Sequence, residues 1–256
     1  MRTKPTEKIK SEIKELKILL HSIPSPIVTL FAASVILMNL LANKSVSLPV
    51  TWMALDCGII VSWVSFLSMD VITKHFGPKA ATEISVFAVV INLIACAFFF
   101  AAGKIPGMWG ESFVAEGNAV NAALDNTFSG TWYVLLGSTT AFITSAVINN
   151  LLNYLIGKLT VKKPEGFAAY AARTYISTAV GQFADNMVFS LIVSHFFFGW
   201  TLIQCVFCSL TGMIAELLCE VIFSPAGYAL CKRWKKENVG QKYFEYKRQT
   251  AADALK

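Results

Sequence analysis

The chain has 256 residues, of which 55% are hydrophobic and only 15% charged, with a formal net charge of +6 at pH 7. Soluble domains carry about 25% charged residues and have no use for apolar runs as long as those found here, so a soluble globular body is excluded. The positive balance does not point to nucleic acid, because the basic residues sit in the connections between apolar runs.

Lys4–Lys17 reads as a lysine-rich amphipathic helix in which Ile9, Ile13, Leu16 and Leu20 repeat at helical spacing, and it is expected to lie on the cytoplasmic membrane surface. Because this charged stretch is long and no small-residue cleavage site follows the first apolar run, a cleavable secretory signal is not expected. Pro24 and Pro26 then punctuate the chain. Six apolar runs follow: 26–42, 48–69, 84–102, 131–157, 170–198 and 200–231. Each is long enough, or nearly so, to cross roughly 30 Å of hydrocarbon at about 1.5 Å per residue. Helices are the expected solution, because lipid offers backbone groups no partner and the period of two that a barrel needs is missing. The longest connection, 103–130, carries Glu111, Glu116, Asp125 and Trp109, and a short interfacial helix is expected over 118–127.

Twenty of the 22 lysines and arginines fall in the N-terminal segment, the second–third connection, the fourth–fifth connection and the C-terminal tail; only Lys44 and Lys104 lie on the other side. This asymmetry predicts both termini inside and an even number of spans. The expected fold is therefore an all-α membrane protein: a six-transmembrane-helix bundle with N-in/C-in topology and an N-terminal amphipathic helix. Its parts are a cytoplasmic basic segment (1–25), the transmembrane domain (26–231) and a basic tail (232–256), placed in the inner membrane.

An ionisable side chain deep in a span costs roughly 2.5–3.5 kcal/mol on insertion scales and so invites a functional role. Asp185 lies midway along the fifth run, with Gln182 and Phe189 a turn away on the same helix face. Ser177 and Gly181 form a small-xxx-small pair that favours close helix approach. Asp185 either binds a ligand or pairs with a buried cation. Glu216 and Glu220 are four apart in the sixth run, where they form a proton-coupling pair or part of an amine site, unless Glu220 is wet at the membrane surface. Asn149, Asn150 and Asn153 in the fourth run, with Ser145, are interhelical glue or donor–acceptor groups for a purine-like base. Asp56 is placed in the second run, facing an outer vestibule; Asn39 and Asn92 read as structural amides.

No metal site is expected, since His21, His75 and His195 are scattered and Cys205 and Cys208 form a lone CxxC. All six cysteines, this pair included, read as lipid-embedded free thiols. Nucleotide-binding and nucleophile motifs are missing, so neither an enzyme nor a cofactor is expected.

Two segments resemble one family. The first is Phe66–Ala80, with Asp70 at the end of a span and the Phe76–Gly77 pair before a basic connection. The second is Arg173–Phe189, in which Arg173, Ser177, Gly181, Gln182, Asp185 and Phe189 stand at the family's spacing. Pro225-Ala-Gly-Tyr228 before a basic tail is similar too. Together they resemble the queuosine precursor transporters, also called the vitamin uptake transporter family. The resemblance implies import of 7-cyano- and 7-aminomethyl-7-deazaguanine bases for tRNA modification. With such a ligand, the substrate site expected from side-chain chemistry is Asp185, Gln182, Phe189 stacking on the ring, Asn150, Asn153 and Ser177; family position suggests Asp70 and Arg173 for an inner gate, and Glu216 and Glu220 are the coupling candidates read from their own spacing. Some members carry a lysine shortly before the Pro-x-x-Tyr segment, where this chain has Ala215 and Glu216. The expected partners are a deazapurine base and the lipid bilayer, with no nucleic acid and with a homodimer left open. The alternatives are a transporter of another nucleobase-like solute, or the substrate-binding subunit of an energy-coupling-factor importer. The latter's AxxxA docking motif is missing from the first run, where Ile36 and Leu37 follow Ala32 and Ala33.

Overall fold

The computed structural model describes residues 5–46, 48–110, 117–159 and 167–253. In chain order they form α1 (Pro5–Ser22), α2 (Ser25–Leu41), the two-residue strands β1 (Ser45–Val46) and β2 (Leu55–Asp56), α3 (Ile59–Phe76) and α4 (Pro78–Ala102). Then come α5 (Gly117–Leu159), α6 (Phe167–Phe189), a π-helical turn (Ser190–His195), α7 (Leu202–Lys236) and α8 (Gln241–Asp253). A helix thus stands at each of the six apolar runs. Among the described residues, Ile59–Phe76, Pro78–Ala102 and Leu202–Phe223 are long and apolar enough to cross a membrane, and Ile9–Ser22 with Ser25–Leu41 forms a fourth candidate bent by 108°.

The helices are inside-out relative to a soluble protein. Along α4, Val86, Val90, Leu93, Ile94 and Phe98 are exposed, whereas Ile84, Ser85, Ala88, Asn92 and Cys96 are buried. Along α7, Ile203, Val206, Phe207, Leu210, Ile214 and Leu218 are exposed, and Cys205, Ser209 and Glu216 are buried on the opposite face. Apolar stripes of this length far exceed the patches that monomeric soluble proteins leave in water. They are the faces that lipid covers.

Two expectations need correction. The second run does not become helix at residue 48. Residues 45–56 instead make a small antiparallel pairing, Ser45 with Asp56 and Val46 with Leu55, and the helix starts at Ile59 and continues to Phe76. The physical reason lies in Asp56, whose Oδ1 accepts a hydrogen bond from the Gly58 amide at 2.7 Å and satisfies a donor at the helix start. Asp56 therefore belongs to the turn before α3, not to the span. The interfacial helix expected over 118–127 is the beginning of α5, which continues unbroken because no proline interrupts it. The tail after Lys236 carries α8.

The chain divides into two compact units. The first comprises Met1–Val35, Val64–Ile91 and Val221–Lys256. Its apolar core joins Leu19 and Ile23 of α1, Phe31 of α2, Ile72 and Phe76 of α3, Ile84 of α4, Trp234 of α7 and Tyr243 of α8. The turn from α3 to α4 is built by Gly77, whose φ of +93° suits glycine, followed by Pro78 at the first position of α4. Here Phe76 stacks on Phe244 of α8 at 5.6 Å between ring centroids, and His75 Nε2 lies 3.0 Å from the Val239 carbonyl oxygen.

Glu15 ties this unit together. It is buried, and its two carboxylate oxygens accept hydrogen bonds from Lys79 Nζ at 2.6 Å and Lys247 Nζ at 3.0 Å, which links α1 to α4 and α8. Burial alone would raise the Glu15 carboxyl, but the hydrogen bonds and charges of the two lysines outweigh it and hold it below its ordinary value. A carboxylate lowered in the folded state stabilises fully above its ordinary value of 4.5 and loses that contribution as pH falls through the lower folded value. Glu15→Gln is expected to cost about 1–2 kcal/mol, the lysines being half-exposed and partly screened. Thermal melts against pH check this. The wild type should lose stability on acidification more steeply than the variant, and parallel curves would remove Glu15 from the account.

The second unit comprises Ile36–Trp63 and Asn92–Glu220. α5 and α6 pack along each other, and α5 also meets the π-helical turn. Val134 and Val193 are fully buried with Ala42, and Tyr133 donates a hydrogen bond to Asn43 Oδ1 at 3.0 Å while stacking on Phe197 at 4.5 Å. A second small core holds Ala54, Trp200, Cys205 and Cys208.

Candidate functional site

The second unit holds polar side chains drawn from four helices. On α6, Gln182, Asp185 and Asn186 fall within little more than one turn. The Asp185 carboxylate is half-buried and accepts a hydrogen bond from Ser145 Oγ of α5 at 2.9 Å. The next residue, Asn186, donates from Nδ2 to Glu216 Oε2 of α7 at 3.3 Å. Glu216 is buried and also hydrogen-bonds the hydroxyl of Ser62 on α3. Gly212, one turn before Glu216, leaves room for the Asn186 amide: a Cβ there would lie 2.8 Å from Asn186 Nδ2.

Gln182 differs from its neighbours. It is 7% exposed, and among the described residues its Oε1 has no hydrogen-bond partner. A buried acceptor left without a donor costs free energy, so a group of this kind is normally satisfied by water or by a ligand. The cluster offers an array of acceptors, with Gln182 Oε1 and the Asp185 carboxylate one turn apart on one helix. Such an array suits a solute that presents adjacent N–H donors.

The structure thus holds Asp185 by Ser145 and Glu216 by Asn186 and Ser62, the two carboxyl groups being joined through the adjacent positions 185 and 186 of α6. Phe189, expected in the substrate site, is half-buried and packs against the Ala42, Val134 and Val193 core. Asp70 lies on the exposed side of α3 in the first unit. The side chains of Asn150, Asn153, Arg173, Ser177 and Glu220 lie outside the described residues. Asn186 and Ser62 were not singled out from the sequence. Asn186 could have been found from its place next to Asp185, but Ser62 reads as an ordinary small polar residue in a helix, and only the packing of α3 against α7 discloses it.

Residues 56–230 match the family model described as "Putative vitamin uptake transporter". The chain belongs to the vitamin uptake transporter family. The matched stretch contains α3, α5, α6 and most of α7, the helices that build the polar cluster, and it leaves out α1, α2 and α8. No curated protein and no solved structure matches the chain. As a vitamin uptake transporter it is a multi-pass membrane protein that takes a small-molecule substrate and is surrounded by lipid, in keeping with the exposed apolar faces of α4 and α7. Among the described residues no three His, Cys, Asp or Glu side chains group so as to hold a metal ion.

Proposed function

We propose that this vitamin uptake transporter imports queuosine precursors, the 7-cyano- and 7-aminomethyl-7-deazaguanine bases, across the inner membrane by secondary transport. It does so as a six-span bundle with both termini in the cytoplasm. The observation that carries the reading is Gln182 Oε1, which has no hydrogen-bond partner among the described residues and stands one helical turn from Asp185. The deazaguanine edge presents a ring N–H next to an amino group, and a carboxylate accepts both in a bidentate pair. Asp185 takes that role and Gln182 accepts a further donor. Phe189, Ser177, Asn150 and Asn153 complete the site.

Glu216 and Glu220 serve coupling. Glu216 accepts a hydrogen bond from Asn186, the neighbour of Asp185 on α6, so a change in its protonation acts on the helix that carries Asp185. Asp70 and Arg173 are assigned to gating on family position. Binding near the middle of the membrane, followed by alternating access, is the mode that suits a buried polar site of this kind.

The test is the thermal stability of detergent-purified protein against guanine, adenine and the two deazaguanine precursors. A ligand that binds the folded state at a hundred times its Kd stabilises by about 2.7 kcal/mol. At roughly 2–4 °C per kcal/mol for a chain of this size, that is a readily measured shift. A shift with the deazaguanines alone is expected. A flat panel in well-folded protein, or an equal shift with adenine, would overturn the substrate assignment while leaving the family untouched.

A further inference from the structure

The transport reading gives α1 no task, and α1 lies before the stretch that matches the family. Its orientation about its own axis is nevertheless fixed. Glu15, 6% exposed, is held by Lys79 and Lys247, and Leu19, one turn on, is fully buried. Lys14 lies over the Tyr246 ring of α8, its Nζ 5.6 Å from the centroid. With that face committed to the protein, helical geometry turns Ile9 and Ile13 away from it, and they are 55% and 61% exposed. Lys10 and Lys17 are exposed alongside them. Pro24 separates α1 from α2, and the two helices are bent by 108°. If α2 runs along the membrane normal, α1 therefore runs nearly along the surface.

We propose that α1 is a membrane-surface helix that seats Ile9 and Ile13 in the cytoplasmic leaflet and takes anionic lipid headgroups with Lys10 and Lys17. The Glu15 tie holds it at the angle that does so. Two β-branched apolar side chains in water beside a bilayer gain by insertion, and the cytoplasmic leaflet supplies the negative charge that the lysines complement. The proposal rests on the reading that the N terminus is cytoplasmic.

The test places a photo-crosslinking benzophenone amino acid at Ile9, Ile13 or Ser11 of the full chain in nanodiscs. Ser11 is exposed on the opposite side of the helix. Nanodiscs of pure phosphatidylcholine are compared with nanodiscs containing phosphatidylglycerol, and lipid adducts are read by intact-protein mass spectrometry. Adducts are expected at positions 9 and 13, not at 11, and several-fold more of them with phosphatidylglycerol. Lys10→Gln combined with Lys17→Gln should remove that lipid preference. No adduct at 9 or 13, equal adducts at 11, or a crosslink to a second protein chain would overturn the proposal. All three positions are exposed, so the labelled chains should fold, and a melt like that of the wild type verifies it. Protease cleavage of an N-terminal tag in vesicles of known sidedness tests topology separately. An external N terminus would refute the cytoplasmic assignment whatever the adducts show.

Discussion

Asp185→Asn is expected to weaken deazaguanine binding by roughly 10- to 150-fold without unfolding the protein, since a hydrogen bond to a charged group contributes about 1.5–3 kcal/mol. The substitution is nearly isosteric, and asparagine keeps an Oδ1 that can accept from Ser145 Oγ, so the link between α5 and α6 survives. What is lost is the second acceptor oxygen. In its place stands an NH2 group that faces the donors of the base and repels them. Calorimetric titration of wild type and variant, with uptake into proteoliposomes alongside, measures the effect. The expected pattern is a large loss of affinity with an unchanged melting temperature in the absence of ligand. Unchanged affinity would reduce Asp185 to a structural partner of Ser145, and a collapsed melting temperature would mean that the carboxylate is needed for folding.

Gly212→Val is expected to destabilise the protein by about 1–3 kcal/mol, the usual cost of overpacking a close-packed interior, and to abolish uptake. Already the first carbon of a side chain at this position would lie 2.8 Å from Asn186 Nδ2. Valine adds two more carbons, so the Asn186 amide is pushed off Glu216, or, where it cannot swing clear, α7 moves with it. Either outcome breaks the 3.3 Å hydrogen bond that joins them. Gly212→Ala should show the same effects in weaker form. Thermal melts and proteoliposome uptake of both variants check the order wild type, alanine, valine. A valine variant with normal stability and uptake would mean that the approach of α6 and α7 at this point has no consequence.

Much of the architecture is legible in one dimension because the bilayer imposes it there. The length of an apolar run and the placement of lysines are read directly by the membrane, and a helix stands at each of the six runs. Asp185 with Gln182 was visible for the same reason: a polar residue in an apolar helix is costly and stands out. Glu216 stood out likewise.

Boundaries were less legible. The helix start at Ile59 depends on the Asp56 carboxylate capping the Gly58 amide and on the pairing of Ser45–Val46 with Leu55–Asp56, neither of which hydropathy records. The amphipathic pattern marked α1 as a surface helix, but its fixed roll follows from Glu15 meeting lysines 64 and 232 residues away along the chain.

The sequence by itself determined that this is a helical membrane protein, where its apolar runs lie, and which carboxylates are out of place in lipid. Only the tertiary structure decided that Asp185 meets Ser145, that Asn186 and Ser62 hold Glu216, and that Gln182 Oε1 has no partner among the described residues. The reason is physical. Hydrophobicity and net charge act segment by segment against a uniform solvent, whereas a hydrogen bond needs two atoms within about 3 Å, which depends on how helices distant in the chain pack together.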